Sequence, residues 1–336
     1  MRLVITGASG FVGRCLLATA ARCGHTGMAI GRSPPENVPG GWIARSRADL
    51  LGSTPASPPA DAIVHLEVRQ SAGPRGNDTN DLYRVNVQGT EAWLEWAARS
   101  GIERFIFISS VMAVKRSAGP ITEAAAPETC EPYGASKARA EAAVRAWVDS
   151  VPGRSAVILR PAPVYGPDGG SNLVNFARRV ARGQPSLIGN GAARKSIVSR
   201  DNLVAAILHV ASPTRLGCAV YNVADQEGHT IAELAALVAD LTGAPSPRSV
   251  PLWVARVAAP VADAVGWLTG IDPPLSSPRV KAATKPGYFP CDRLLETGFV
   301  HPQSTRTGLS IMLEGLGLRT TTHVDSGSSA HPRTGG

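Results

Sequence analysis

The chain is poor in aromatic residues, with six Trp, five Tyr and six Phe among 336 positions, and it has only five cysteines. Those cysteines (Cys15, Cys23, Cys130, Cys218, Cys291) are scattered, odd in number and never form a Cys-x-x-Cys pair. Neither a disulfide framework nor a zinc site is supported by that pattern. The seven histidines lack metal-ligand spacing as well, so no metal is expected. The net charge is +8, yet no basic run with interleaved aromatics occurs. A nucleic-acid partner is therefore not expected, whereas a small phosphorylated ligand suits the charge. The most apolar late stretch, PLWVARVAAPVADAVGWLTG (251–270), is broken by Arg256, Pro260 and Asp263. It predicts a helix packed on the protein rather than a membrane span. No leader-like segment precedes the first strand, so a cytoplasmic protein without a membrane partner is expected.

Against these absences, 43% of the residues are hydrophobic, enough for a sizeable core. Apolar runs alternate with amphipathic ones through the first half. RLVIT (2–6), GMAIG (27–31), DAIVHL (61–66), RFIFISS (104–110) and SAVILR (155–160) read as buried strands. Helices are expected over 11–23, roughly 82–100, and from Tyr133 onward. Continuous apolar strands alternating with helices argue for a parallel sheet covered on both faces. SPPENVPGG (33–41) and GSTPASPP (52–59) read as loops. Beyond Pro161 the pattern loosens into short helices (about 173–182, 201–212, 230–242) and brief strands such as AVYNV (219–223).

TGASGFVG (6–13) follows the first strand and opens the first helix, the context a dinucleotide-binding turn requires. Gly7 permits the tight turn, Gly10 lets a pyrophosphate approach the backbone, and Gly13 brings helix and sheet together. The spacing is Gly-x-x-Gly-x-x-Gly, not the commoner Gly-x-Gly-x-x-Gly. The implied fold class is α/β: a Rossmann-type doubly wound parallel sheet with a smaller mixed α/β C-terminal substrate lobe. The expected division is 1–165 for the dinucleotide-binding domain, which also receives parts of 196–225. Residues 166–318 form mainly the substrate lobe, and 319–336 a disordered tail. After the second strand stands Arg32, where an acidic residue would hold the ribose of NAD; a guanidinium there suits the 2′-phosphate of NADP. NAD or NADP is expected, with a slight lean to NADP. Asp49 and Leu50 are candidate adenine contacts.

PYGASKARAEAAV (132–144) places Tyr133 and Lys137 four apart on one helix face. A phenol with an ordinary pKa of about 10 is a poor base at neutral pH. An ammonium about 4 Å away stabilises the phenolate by up to about 4 kcal/mol at an effective dielectric of about 20. Lys137 is therefore expected to draw the Tyr133 pKa down.

With Gly7, Gly10, Gly13, Tyr133 and Lys137 in place, the chain resembles the extended short-chain dehydrogenase/reductases, and among them the NAD-dependent epimerase/dehydratase family acting on nucleotide sugars. Supporting segments over residues 1 to 318 are VHLEV (64–68), NVQGT (86–90), RFIFISSV (104–111), LRPAPVYGP (159–167), SIVSRDNLVAAI (196–207) and YNVAD (221–225). The resemblance implies a catalytic set of Ser110, Tyr133 and Lys137. It further implies cofactor contacts from Ser9, Phe11, Val12, Leu66, Glu67, Val68, Asn86, Ser109 and Pro161, and substrate contacts from Ser110, Val111, Asn172 and Arg194. Tyr165-Gly166-Pro167 would shape the loop between lobes, and Asp201-Asn202 would cap the next helix.

Family dehydratases carry an acidic pair just after the catalytic hydroxyl. Here Val111 and Met112 follow Ser110, which disfavours dehydration. Epimerisation of a UDP-hexose type of substrate through a 4-keto intermediate is the expected reaction. NADPH-dependent reduction of a ketone is the alternative, and a non-catalytic dinucleotide sensor a third. Glu67 departs from the family's small residues and would set a negative charge near the pyrophosphate. By analogy with relatives, a homodimer built on 82–100 and 133–149 is expected.

Overall fold

The computed structural model describes residues 1–52, 60–70, 79–117, 119–169, 172–185, 187–212, 217–269, 276–285 and 287–318. The expected loop at 52–59 and the expected tail at 319–336 lie almost wholly or wholly outside the described residues.

Six strands are met in chain order: β1 (Arg2–Thr6), β2 (Thr26–Gly31), β3 (Trp42–Ser46), β4 (Ala62–His65), β5 (Arg104–Ile108) and β6 (Ser155–Pro161). With Gly217–Val223 they form one seven-stranded sheet in the order 217–223, β6, β5, β4, β1, β2, β3. Every pairing in it is parallel. Strands β4, β5 and β6 are buried along their whole length, as a sheet covered on both faces requires. The sequence reading missed β3: Trp42, Ala44 and Ser46 alternate with exposed Ile43 and Arg45, an edge pattern too short and polar to stand out after a proline-rich loop.

The first-half helices are α1 (Phe11–Arg22), α2 (Arg47–Leu51), α3 (Thr79–Tyr83), α4 (Gly89–Arg99) and α5 (Pro132–Asp149). A π-helical turn, Arg84–Gln88, joins α3 to α4, so the helix expected over 82–100 is in fact interrupted. Beyond β6 come α6 (Asn172–Ala181), α7 (Arg200–Ala211), α8 (Ile231–Thr242), α9 (Leu252–Thr269), α10 (Ser277–Thr284), α11 (Asp292–Leu295) and α12 (Thr305–Gly315). One core joins the sheet to α1 and α7 through residues such as Leu3, Leu16, Leu159 and Ile207. A second joins the opposite face to α4 and α5 through Trp93, Trp96, Phe105 and Val144. A third, with Val174, Leu234, Val238 and Met312, holds α6, α8 and α12 together.

Ser199, not Asp201-Asn202, caps α7: its hydroxyl accepts the Asn202 N–H at 3.1 Å. Asn202 is buried and donates to Asp225 and to the Gln303 carbonyl. Asp225 also accepts the Tyr165 hydroxyl at 2.7 Å, fixing the loop that leaves β6.

Candidate active site

In a parallel sheet all carboxyl ends emerge on one edge, and here they are in register. Thr6 lies opposite His65, His65 opposite Phe107, and Ile108 opposite Leu159. The turns after β1, β4, β5 and β6 therefore open side by side, where ligands bind in such sheets.

At the end of β1, Gly7 has φ +68, a conformation that favours glycine. A Cβ there would sit 3.0 Å from the backbone of Leu66 and Glu67, so the glycine also admits the end of β4. Gly10 is the N-cap of α1 and supplies no capping side chain, which suits a helix N-terminus that receives phosphate. A Cβ on Gly13 would lie 2.2 Å from the Gly7 carbonyl oxygen. The unusual glycine spacing is thus a steric requirement of this turn. Gly7, Ser9, Gly10, Arg32, Leu66, Glu67 and Val68 all line one cleft of about 960 Å³. Arg14 and Arg47 line it too; sequence reasoning missed both, since nothing local marks them. Arg14 is fixed by a bond to the Ser9 carbonyl at 2.8 Å. Phe11 and Val12 occupy the first turn of α1, Val12 against the core and the Phe11 ring beneath the Arg200 guanidinium. The glycine cradle and basic rim fit a dinucleotide.

Glu67 does not burden that cradle. Its carboxylate accepts from Arg47 at 3.0 Å and from the Trp93 indole N–H at 3.0 Å. The charge is paired and directed toward α2 and α4.

Asp49 closes a capping box with Ser46 at the start of α2, and Leu50 is buried in the core beside α4. Asn86 spends both amide hydrogens on the Arg69 carbonyl and Ser136 Oγ, and its oxygen accepts the Arg69 N–H. It pins the segment after β4 to α5. Behind these groups, His65 is wholly buried between Thr6 (2.7 Å) and Thr90 (3.2 Å). The Thr90 hydroxyl donates to the Asn86 carbonyl, so His65 donates through Nε2 and accepts through Nδ1. Burial, with Lys137 and Arg47 nearby, holds its pKa well below the ordinary value.

At the end of β5 the two serines take separate roles. Ser109 donates to Glu141 at 2.6 Å. Ser110 caps a short 3-10 turn, Val111–Ala113, by accepting the Met112 N–H, and its hydroxyl lies close enough to the Tyr133 phenol to favour its ionised form. Pro132 stands at the first position of α5, where a missing N–H costs nothing. Gly134 lets that turn close on the Ser110 segment: a Cβ there would lie 2.2 Å from the Met112 carbonyl oxygen. Lys137 is almost fully buried, donates to the Ile108 carbonyl at 2.8 Å and lies over the Phe107 ring. Ser110, Tyr133 and Lys137 are thereby gathered at one strand end.

The expected electrostatics differ. Burial pushes the Tyr133 phenol up, opposed by the neighbouring Ser110 hydroxyl. Burial also brings Lys137 down to about 7, opposed by the Glu141 carboxylate. Within the protein alone, a desolvated amine held on a carbonyl is a weak source of positive potential for the phenol. Behind Lys137, Glu141 grips Arg160 through two bonds in the core. This pair escaped sequence reasoning because its members are far apart in the chain and follow no motif.

Of the remaining expected residues, Pro161 ends β6 opposite Val223 and is buried. Val111 is buried with Val114, Ile121 and Phe289. Asn172 is exposed at the first position of α6. Arg194 is exposed, donates to the Gly228 carbonyl and stacks on Tyr288.

The sequence model of the NAD dependent epimerase/dehydratase family matches residues 3–224. A 4-epimerase of N-acetyl-α-D-glucosaminyl-diphospho-ditrans,octacis-undecaprenol from Escherichia coli O157:H7 is 28% identical, over 93% of this chain and 94% of its own. A GDP-6-deoxy-D-mannose reductase from Pseudomonas aeruginosa is 31% identical, over 71% of this chain and 80% of its own. In structure, a Thermus thermophilus UDP-glucose 4-epimerase complexed with NAD superimposes with a TM-score of 0.69 at 22% identity, covering 94% of this chain and 98% of the other. With a glycine cradle at one strand end and a Ser-Tyr-Lys cluster at a neighbouring one, the chain belongs to the NAD-dependent epimerase/dehydratase family and is an NAD(P)-dependent enzyme of the extended short-chain dehydrogenase type.

Proposed function

We propose that the chain epimerises a nucleotide sugar of the UDP-hexose type at C4, through a transient 4-keto sugar. The observation that carries this reading is the convergence of Ser110, Tyr133 and Lys137 at the end of β5, beside the glycine cradle at the end of β1. Gly7, Ser9, Gly10 and Arg32 would hold the dinucleotide, and Lys137 its nicotinamide ribose. A bound nicotinamide supplies a hydride acceptor that later returns the hydride.

Tyr133 removes the proton from the sugar 4-hydroxyl and later returns it to the oxygen of the 4-ketone, once the ketone has turned its other face to the returning hydride. Ser110 holds the reacting oxygen through the same hydroxyl that meets Tyr133. The buried phenol needs a nearby positive charge to ionise, and a bound oxidised cofactor together with protonated Lys137 would provide it. Asn172 and Arg194 are the proposed diphosphate contacts; an exposed guanidinium suits that anion. Val111 and Met112 offer no acid or base for dehydration. Two copies of the chain are proposed to pair through α4 and α5.

The second reading is NADPH-dependent reduction of a sugar or secondary-metabolite ketone, favoured by Arg32 at the cleft and by the reductase from P. aeruginosa. One experiment separates the two. The protein is incubated with UDP-hexoses and UDP-N-acetylhexosamines without added coenzyme, and product stereochemistry is read by NMR. A polyprenyl-diphospho-N-acetylhexosamine is included because the E. coli relative's name describes such a substrate. Inversion at C4 without net coenzyme turnover supports the epimerase. Failure on every sugar, with stoichiometric NADPH consumption on a 4-keto sugar, overturns it in favour of the reductase. Unaltered biological function in a Tyr133→Phe variant overturns both and supports a dinucleotide sensor.

A further inference from the structure

Helix α9 is apolar on the wrong side. Its inward face is modest: Ala255 and Ala259 pack with Val280, Ile188, Val250 and Leu252 in a small satellite core. Its outward positions are Trp253, Arg256, Val257, Pro260, Val261, Ala264, Val265 and Trp267, of which Arg256 alone is charged. The two tryptophans are 72% and 85% exposed. Trp253, Val257, Val261 and Val265 follow one another four residues apart, so they form a continuous ridge. A helix apolar all round normally lies within a core, and an exposed contiguous apolar patch marks an interaction surface.

We propose that α9 is a peripheral docking helix for an anionic lipid bilayer, lying in the interface plane with the Trp253–Trp267 ridge in the headgroup–acyl boundary. Three observations select this occupant. The ridge has a tryptophan near each end, about 21 Å apart at helical rise, and indoles favour the membrane–water boundary. The surroundings are basic: between Arg248 and Lys285 the chain has five Lys or Arg residues and two Asp. Of those, Asp263 is turned to the Ser277 N–H at the start of α10. Arg248, Arg256, Lys281 and Lys285 are exposed, the cationic rim expected beside acidic headgroups. Finally, one helix face of about 27 Å by about 10 Å offers on the order of 300 Å², well under the roughly 800 Å² per partner of a stable dimer. No helix among the described residues is long and apolar enough to cross a membrane, so the contact is one of surface adsorption. This reading is independent of the substrate.

The test is co-sedimentation of the full chain with phosphatidylcholine vesicles, with and without one-third phosphatidylglycerol, alongside tryptophan emission. Trp42, Trp93, Trp96 and Trp147 are buried, so a lipid-induced blue shift reports on Trp253 and Trp267. Expected are binding to the anionic vesicles, a blue shift, weakening by added salt, and a loss of about tenfold or more in partitioning for Trp253→Gln/Trp267→Gln. Val257→Gln/Val261→Gln should behave alike and guards against misfolding of the first variant. Absence of binding, equal binding by both double variants and the parent, or a lipid-free dimer that either double variant dissociates would overturn the proposal.

Discussion

The Glu141 carboxylate accepts from Arg160 Nε at 2.9 Å and from Nη2 at 2.6 Å, and both side chains are almost wholly buried between α5 and β6. The same carboxylate takes the Ser109 hydroxyl, and the Arg160 guanidinium also donates to the Glu123 carbonyl. The ion pair therefore joins the helix that carries Tyr133 and Lys137 to β6, and the Ser109 bond ties the same carboxylate to the strand end that carries Ser110. Removing one partner strands the other charge in the core. Glu141→Ala should destabilise the fold by about 3–5 kcal/mol, a loss to be measured by urea unfolding. A cost near zero would contradict the burial described.

Tyr133→Phe removes one hydroxyl from a half-buried ring. The variant should retain its fold and dinucleotide affinity while turnover falls by roughly 10²–10⁴-fold. Calorimetry with NAD and NADP, set beside steady-state rates, measures the two effects apart.

Gly13→Ala has no room to be accommodated, because its Cβ would meet the Gly7 carbonyl and the Ala8 backbone rather than a flexible side chain. Displacing α1 from the turn should abolish coenzyme binding in titration calorimetry. Gly40→Ala is the control: neither Gly13 nor Gly40 has positive φ, and a Cβ at Gly40 meets nothing within 4 Å.

Stability should rise from about pH 7 toward pH 10 on account of Lys137. Its folded pKa is brought down to about 7, against 10.5 as the ordinary value, so in that window the unfolded chain binds the extra proton. Below about 7 the amine is charged in both states and the full burial cost is felt. Lys137→Met should flatten this slope in melting temperatures taken at pH 7 and pH 9.

His65 should make the protein acid-labile. Its folded pKa lies well below 6.5, so the unfolded chain takes up a proton first as pH falls, and stability declines from about pH 6.5 downward. His65→Gln, which can still accept from Thr6 and donate to Thr90, should lose less stability between pH 7 and pH 5. Equal acid lability in the two proteins would place its cause elsewhere.

What was legible in the sequence was what short-range geometry controls. A glycine triplet after a strand, a Pro-Tyr-Gly helix start and a four-residue Tyr–Lys spacing are local statements, and each forces a backbone shape wherever the chain folds. Illegible were the partners brought from afar. Nothing near Glu67 says that Arg47 and Trp93 will take its charge, and nothing near Asn86 says that it will tie Arg69 to Ser136. The downward pull expected on the Tyr133 phenol fails for the same reason: spacing sets a shared helix face, while burial and the Ile108 carbonyl decide how much charge Lys137 shows.

The sequence by itself determined the parallel α/β class, the dinucleotide turn and the shared helix face of Tyr133 and Lys137, because strand burial, positive-φ glycine and helix periodicity are encoded within a few residues. Only the tertiary structure decided which charges are neutralised, which expected contacts are spent on packing, and that α9 turns its tryptophans outward. Those outcomes depend on desolvation and on which surfaces meet, and both are set by segments that lie far apart along the chain.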